Sequence, residues 1–380
     1  MPWKTMEVHE QRVEFVVAAR RREKSFTALC REFGISRPTG CLWVQRYQQQ
    51  GVAGIAERSR RPRHSPRQTA RELEDQVVAL RQRYPDWGAR KLGIVLQNEG
   101  VRLTRSTIHR ILARHDLLHP ADRHQPAVER FERARPNELW QMDFKSPKGW
   151  NAPVGPLSVI DDHSRYVIVL QALGSPRAEL VREQLESVFA SCGVPQAMLM
   201  DHGTPWWSWA GPQAAPTGLA LWLMKQGIGL HWSGIGHPQT QGKVERFHGE
   251  LERALRRRGW QGKPCQQWLD EFRWEHNHLR PHEALDMATP ASRWHPSSRA
   301  YDPRPPRWEY PEGSRVLQVD GQGKLDIAGK KRVIGRALCG ERVRLLEVDH
   351  RLQVYYCNTL IRELDLEIQR TTMVVRWISA

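Results

Sequence analysis

Residues 139–144 read LWQMDF, with one acid, Asp143, set between Met142 and Phe144. A short run this rich in apolar and aromatic side chains predicts a buried strand. A carboxylate inside such a strand is costly unless it is paired or bound to metal. Working outward, GPLSVID (155–161) and RYVIVLQAL (165–173) predict two more strands, the second nearly all apolar and therefore buried. Residues 177–192 predict a helix, AMLMD (197–201) a fourth strand ending on Asp201, LALWLMKQG (219–227) a helix and GIGLHWS (227–233) a fifth strand. A long helix starts near Gln241 and runs past Arg258, with Glu245 in its first turns after the loop GIGHPQTQGKV. The order β-β-β-α-β-α-β-α predicts a mixed sheet with helices on both faces. Strands one and four are natural central neighbours there, so Asp143 and Asp201 converge and Glu245 approaches from the helix.

The segments on either side read differently. Phe26, Leu29, Cys30 and Phe33 form one helical stripe that Gly34 stops, and Ser36 with Pro38 opens a second helix. That helix turns Trp43, Val44 and Tyr47 inward and leaves Arg37, Gln45 and Arg46 for a partner, a helix-turn-helix pattern. ERSRRPRHSPRQ (57–68) is a basic linker suited to a phosphate backbone or minor groove, through Arg60, Arg61 and Arg63. A second helical unit follows, with stripes at Leu92, Val95, Leu96 and at Ile108, Ile111, Leu112, and a capping cluster Thr104–Thr107 that includes Arg105. Beyond YDPRPPRWEYP (301–311), short alternating segments and turns predict a small all-β barrel, with VRLLEV (343–348) and LQVYYC (352–357) as a hairpin.

The chain therefore divides into a helix-turn-helix domain (1–56), a basic linker (57–70), a second helix-turn-helix-like domain (71–117), a connector (118–137), an α/β core (138–300) and a small β-barrel (312–366). With 380 residues there is room for two to four domains. Lys and Arg number 58 against 42 Asp and Glu, a net +16, which implies a polyanionic partner, nucleic acid being the commonest. Six scattered cysteines form no zinc-spaced pair and no disulfide framework. No window is apolar enough for a membrane span and the first residues lack a signal-peptide core, so the expectation is an intracellular protein with no membrane partner.

Three converging carboxylates repel one another and are tolerated with about two divalent cations between them. Hard oxygen ligands select Mg²⁺ or Mn²⁺ over zinc. Two such ions roughly 3.5–4 Å apart activate an attacking oxygen and stabilise a leaving one in phosphoryl transfer. In a basic, DNA-binding chain this chemistry implies a polynucleotidyl transferase.

WQMDF, IDDHSRY, LMDHGTPW and GIGHPQTQGKVERFH together resemble the integrase core of bacterial insertion-sequence transposases, within the retroviral-integrase-like Asp-Asp-Glu superfamily. HNHLRPHEALDMATPASRW (276–294) is similar to the sequence that follows that core, and the resemblance covers roughly 105 to 300. It implies an RNase H-like fold, two Mg²⁺ ions (Mn²⁺ able to substitute), and catalysis and metal binding by Asp143, Asp201 and Glu245. It further implies binding of the terminal inverted repeats, cleavage at the element's ends and attack by the freed 3′-OH on target DNA. The partners implied are double-stranded DNA and further copies of the chain, as a dimer or higher multimer, in the bacterial cytoplasm on the nucleoid. The alternatives are a catalytically inactive helix-turn-helix regulator and a nuclease that hydrolyses without joining.

Two features depart from the family. Asp201 and Glu245 are separated by 43 residues, against roughly 35 usual in the superfamily; the excess lies in GTPWWSWAGPQAAPTG (203–218). Many relatives carry a cation seven residues beyond the Glu, where this chain has Glu252, so Arg253, Lys243 and Arg246 are the DNA-facing alternatives. Trp206, Trp207 and Trp209 in the insertion read either as stacking platforms for an unpaired base or as a plug closing the loop on the domain. His202 and His237 border the site as supporting groups that orient water or phosphate. Asp161 and Asp162 are rival acids, read as turn caps or as ion-pair partners of Arg165. His276, His278 and His282 read as structural or as phosphate contacts. Lys330, Lys331, Arg332, Arg336, Arg342 and Arg344 suit a barrel that contacts DNA or a partner, or an inert cap.

Overall fold

The computed structural model describes residues 8–56, 68–118, 132–147, 150, 153–208, 215–232, 242–259, 265–348, 351–365 and 371–377. The chain folds as two units, Met1–Gln68 and Thr69–Ala380. The first holds α1 (Val8–Arg21), α2 (Phe26–Glu32) and α3 (Arg37–Gln50), closed by a 3₁₀ turn at Gly51–Ile55. Ser25 and Ser36 start α2 and α3 by accepting from the backbone N–H of Ala28 and Thr39 at 3.3 Å each. Phe15, Val16, Leu29, Cys30 and Ile55 form its core, with Trp43, Val44 and Tyr47 packed against it. Gly40 lets α3 approach closely: a Cβ there would stand 2.7 Å from Cys30 Sγ and 2.8 Å from Phe15.

The second unit opens with α4 (Arg71–Arg83), α5 (Ala89–Asn98) and α6 (Arg105–Arg114). Trp87, Leu92, Leu96, Ile108 and Ile111 are buried among these helices. Thr104 caps α6 through the N–H of Thr107 at 3.2 Å. The two helical modules thus share one device, a hydroxyl cap followed at once by an exposed arginine, Arg37 or Arg105.

The α/β core then runs through β1 (Leu139–Phe144), β2 (Leu157–Asp161), β3 (Val167–Gln171), α7 (Ala178–Cys192) and β4 (Ala197–Met200). It continues with the short pair β5 (Trp207–Ser208) and β6 (Ala215–Pro216), then α8 (Gly218–Lys225), β7 (Gly229–Trp232), α9 (Gly242–Arg257) and α10 (Gln266–His278). The main sheet has the order β3-β2-β1-β4-β7. Its first three strands are antiparallel, while β1, β4 and β7 run parallel. Trp140 and Met142 of β1 bury with α7 and α8 on one face. Ile160, Val167 and Leu170 bury with α9 and α10 on the other.

The tail departs from the expected barrel. It comprises β8 (Arg315–Gln318), β9 (Lys324–Ile327), β10 (Lys330–Val333), β11 (Arg342–Val348), β12 (Arg351–Tyr356), β13 (Thr359–Asp365) and β14 (Thr371–Trp377). Five of these form an open antiparallel sheet, β14-β13-β12-β11-β8, and β9 with β10 forms a hairpin. Among the described residues β8 and β14 are opposite edges with no pairing between them, and β14 lies beyond the expected boundary at 366. The sheet need not curl on itself to cover its apolar residues. Val343, Leu345, Leu352, Val354 and Tyr356 share one continuous core with Leu221, Trp222 and Met224 of α8. Lys225 and Glu341 pin that junction with an ion pair at 2.7 Å. Among the described residues no helix is long and apolar enough to cross a membrane.

Candidate active site

β1 and β4 pair in parallel with Gln141 opposite Leu199. Two residues further along each strand, Asp143 and Asp201 reach the same level at the carboxyl ends of neighbours about 4.8 Å apart. This crevice is where open α/β sheets present ligand sites. Side-chain alternation turns Asp143 away from Trp140 and Met142, toward the face that α9 covers. Glu245 is in the first turn of α9 and exposed. Three residues on, His248 lies buried with Nδ1 3.8 Å from Asp143 Oδ2 and Nε2 2.9 Å from Ser158 Oγ.

The electrostatics follow from this placement. Asp143 is pushed up to about 7, first by burial, then by repulsion from Asp201 and Glu245, with the Phe144 N–H opposing. Burial and the nearby Lys145 ammonium push His248 down to about 3, so it is a neutral hydrogen-bonding group. Among the described residues none of the three acids forms an ion pair with Lys or Arg. They sense one another without forming a ready cage, for no group of three or more His, Cys, Asp or Glu among the described residues is placed to hold a metal ion. The donor set nevertheless fits a hard cation in kind: three carboxylates, one with its pKa raised to about 7 by burial and by the other two.

Asp201 is oriented by its own loop. Its Oδ1 accepts from Gly203 N–H and from Trp206 Nε1–H, both at 2.8 Å. Trp206 and Trp207 are each 1% exposed. The Trp206 ring stacks on Phe144 at 5.9 Å, and Trp207 meets His202 and Trp232 edge-on at 4.8 and 5.3 Å. The expected base-stacking faces are therefore closed, because both indoles are packed into the domain core. Of the expected supporting histidines, His202 abuts this cluster; His237 and Trp209 lie outside the described residues, as do Arg60, Arg61 and Arg63.

The expected DNA-facing cations divide. Arg37, Arg105 and Arg246 are exposed. Arg46 is half-buried with its guanidinium 5.0 Å over the Trp43 ring, and Arg253 is half-buried on α9. Lys243 is instead committed inward, its ammonium paired with the buried Asp162 carboxylate. The cation near position 252 comes from outside the helix: Lys145 Nζ lies 3.2 Å from Glu252. Of the rival acids, Asp161 caps the turn by accepting from Ser164 N–H at 2.8 Å and Oγ–H at 2.6 Å. Arg165 pairs with Glu132 rather than with either of them. The sequence reading missed His248, Lys145 and the donor role of Trp206; for His248 the signal was its place one turn beyond Glu245 on the same helix face.

Fold and site together define an integrase-core protein with tandem helix-turn-helix modules. Comparison with known families bears this out: residues 133–238 and 226–290 match the integrase core domain, 39–112 a homeodomain-like domain and 11–63 a helix-turn-helix domain. Residues 314–372 match the C-terminal domain of IS481 family transposases. Together these matches give the chain the domain make-up of an IS481-type insertion-sequence transposase: N-terminal helix-turn-helix modules, an integrase core and that family's C-terminal domain. Among curated proteins it is 24% identical over 256 residues to the transposase for transposon Tn552 of Staphylococcus aureus, covering 59% of this chain and 51% of that one. It is also 29% identical over 135 residues to an uncharacterized protein of Caenorhabditis elegans, covering 36% of this chain and 10% of that one. The chain thus spans about half the transposase's length and a tenth of the nematode protein's. Among solved structures, a simian T-cell lymphotropic virus intasome matches with TM-score 0.38 and 16% identity over 80% of this chain and 99% of that one. The HTLV-2 integrase catalytic core domain in complex with magnesium matches with TM-score 0.32 and 15% identity over 42% and 97%.

Proposed function

We propose that the protein binds the terminal inverted repeats of an insertion sequence, cleaves at the element's ends and joins the 3′-OH ends to target DNA. The observation that carries this reading is Asp143, a carboxylate inside a core strand whose electrostatic neighbours are Asp201 and Glu245 rather than a cation. In this reading Asp143 and Asp201 hold two divalent cations, Mg²⁺ or Mn²⁺, and Glu245 completes the shell of one. Bound there, such ions supply activation of the attacking oxygen and stabilisation of the leaving one. The chain's own residues do the rest. Asp143, raised to about 7 by burial and its acidic neighbours, would hold a cation at the end of β1. His248 keeps α9, and hence Glu245, in register with β1 and β2. Arg37 and Arg105, at the starts of α3 and α6, contact DNA, and phosphate contacts make affinity fall steeply with salt. The chain acts on both ends as a dimer or higher multimer.

A joining assay tests this. Purified protein is incubated with labelled DNA from the flanks of its own gene, a supercoiled plasmid and Mg²⁺ or Mn²⁺. Label enters the plasmid with wild type and not with Asp201→Asn. Cleavage without joining would instead identify a nuclease, and binding with neither would identify a regulator.

A further inference from the structure

The Trp-rich insertion between Asp201 and α8 has no place in the reaction just described, yet it contacts Asp201 and the residue next to Asp143. Trp206 Nε1–H donates to Asp201 Oδ1 at 2.8 Å, and its ring stacks on Phe144, the residue that follows Asp143, at 5.9 Å and 13° between planes. Gly203 N–H donates to the same oxygen at 2.8 Å. With two donors, Asp201 Oδ1 is occupied from inside the protein, while among the described residues no hydrogen bond is made to Oδ2. The space beside Asp201 is built to these contacts, since a Cβ on Gly203 would stand 2.8 and 2.9 Å from the two carboxylate oxygens. The loop is itself tied down: Thr217 Oγ1–H donates to Pro205 O at 2.6 Å, and β5 pairs with β6. Its rings join the core that supports β1, β4 and α8.

We infer that Trp206 is a positioning residue that fixes the Asp201 carboxylate so that one oxygen, Oδ2, is presented to a divalent cation while the other is held by the indole. The inference rests on the reading of Asp201 as a metal-holding acid and adds how that acid is aimed. A donor behind a metal-holding carboxylate sets its orientation and basicity, and losing one costs roughly 10–100-fold in metal affinity. The insertion that lengthens the Asp201–Glu245 spacing is then part of the site's frame.

The test is a calorimetric titration of Mn²⁺ into metal-free, full-length protein carrying Trp206→Phe, with Trp222→Phe as the control. The control removes an indole of the same core, 8% exposed, that lies away from the acids. The expected result is Mn²⁺ binding weakened roughly 10-fold or more by Trp206→Phe, unchanged by Trp222→Phe, with DNA binding intact in both. Equal Mn²⁺ affinity for Trp206→Phe and wild type would overturn the inference, while Asp201→Asn losing the metal would leave the proposed function standing. Failure of wild type itself to bind Mn²⁺ would overturn both. A second measurement covers a Trp206→Phe protein that does not fold. In metal-free protein, Asp201→Ala should shift one of the sixteen indole N–H resonances and speed its exchange with solvent. Sixteen unmoved, equally protected resonances would also sink the idea.

Discussion

Glu245 and Glu250 stand five residues apart on α9, and their surroundings differ in kind. Glu250 belongs to a buried seam that joins the second helical module to the core. Arg280 Nε lies 3.3 Å from Glu250 Oε2, an ion-pair contact without hydrogen-bond alignment. Arg280 also reaches Asp86, in the turn between α4 and α5, at 2.6 Å, and Arg258 grips Glu275 at 2.7 Å. With Lys91, three cations face three carboxylates. Burial alone would raise the Glu250 carboxyl, but Arg280 and Lys91 outweigh it and hold it well below the usual range. At the start of the same helix, Asp143, Asp201 and Glu245 lie near one another with no Lys or Arg in an ion pair among the described residues, and Asp143 rises to about 7. In the seam the carboxylates are paired with cations; in the reading proposed above, the place of the cation beside Asp143, Asp201 and Glu245 is taken by a divalent ion.

Substitutions in the two clusters should therefore behave oppositely. The largest effect is on chemistry: Asp143→Asn or Glu245→Gln should reduce strand joining to background while gel-shift affinity for end DNA is retained. Near-wild-type joining by either would erase the distinction between the two clusters. Next in size, Arg280→Met takes away the buried guanidinium shared by Glu250 and Asp86 and should cost about 3 kcal/mol in urea unfolding. A cost under 1 kcal/mol would mean the seam is not an obligatory pairing.

A smaller effect has the opposite sign. The folded pKa of Asp143 lies above its unfolded value near 3.8, so ionising it destabilises the metal-free fold as pH rises from about 4 to about 7. Its side chain is 20% exposed, so Asp143→Asn should stabilise metal-free protein by about 1–3 kcal/mol at pH 8, an effect that vanishes near pH 4. Glu250 has a depressed folded pKa, so its contribution is present above about 4.5 and lost in acid. Glu250→Gln should accordingly destabilise at pH 8, and chemical unfolding at the two pH values reads both signs. Smallest of all, Arg105→Ala should lower the salt dependence of DNA binding by about one unit of slope and leave unfolding unchanged.

Much of this contrast was legible in the sequence. The spacing of LWQMDF, AMLMD and the helix from Gln241 places the three acids, because strand and helix periods are local properties. What covers a face is not local. Alternation in VRLLEV and LQVYYC marks half-buried strands, but only the packing of α8 decides that they form an open sheet rather than a barrel. The same limit hid the inward commitment of Lys243 to Asp162, which is 81 residues distant in sequence. It hid the burial of Trp206 and Trp207 too: an insertion without helical or strand period gives no sign of which face it turns inward. The helix α10 did carry a signal, Leu269, Phe272 and His276 at helical spacing, that the strand-centred reading passed over.

The most direct test of the contrast is Mn²⁺ binding to metal-free protein, measured by calorimetry for wild type, Asp143→Asn and Asp162→Asn. Asp162 is an acid in the turn after β2 whose carboxylate is already paired with Lys243. The account predicts that Asp143→Asn abolishes the binding seen in wild type and that Asp162→Asn keeps it. Binding that survives Asp143→Asn, or that disappears with folded Asp162→Asn, would contradict it.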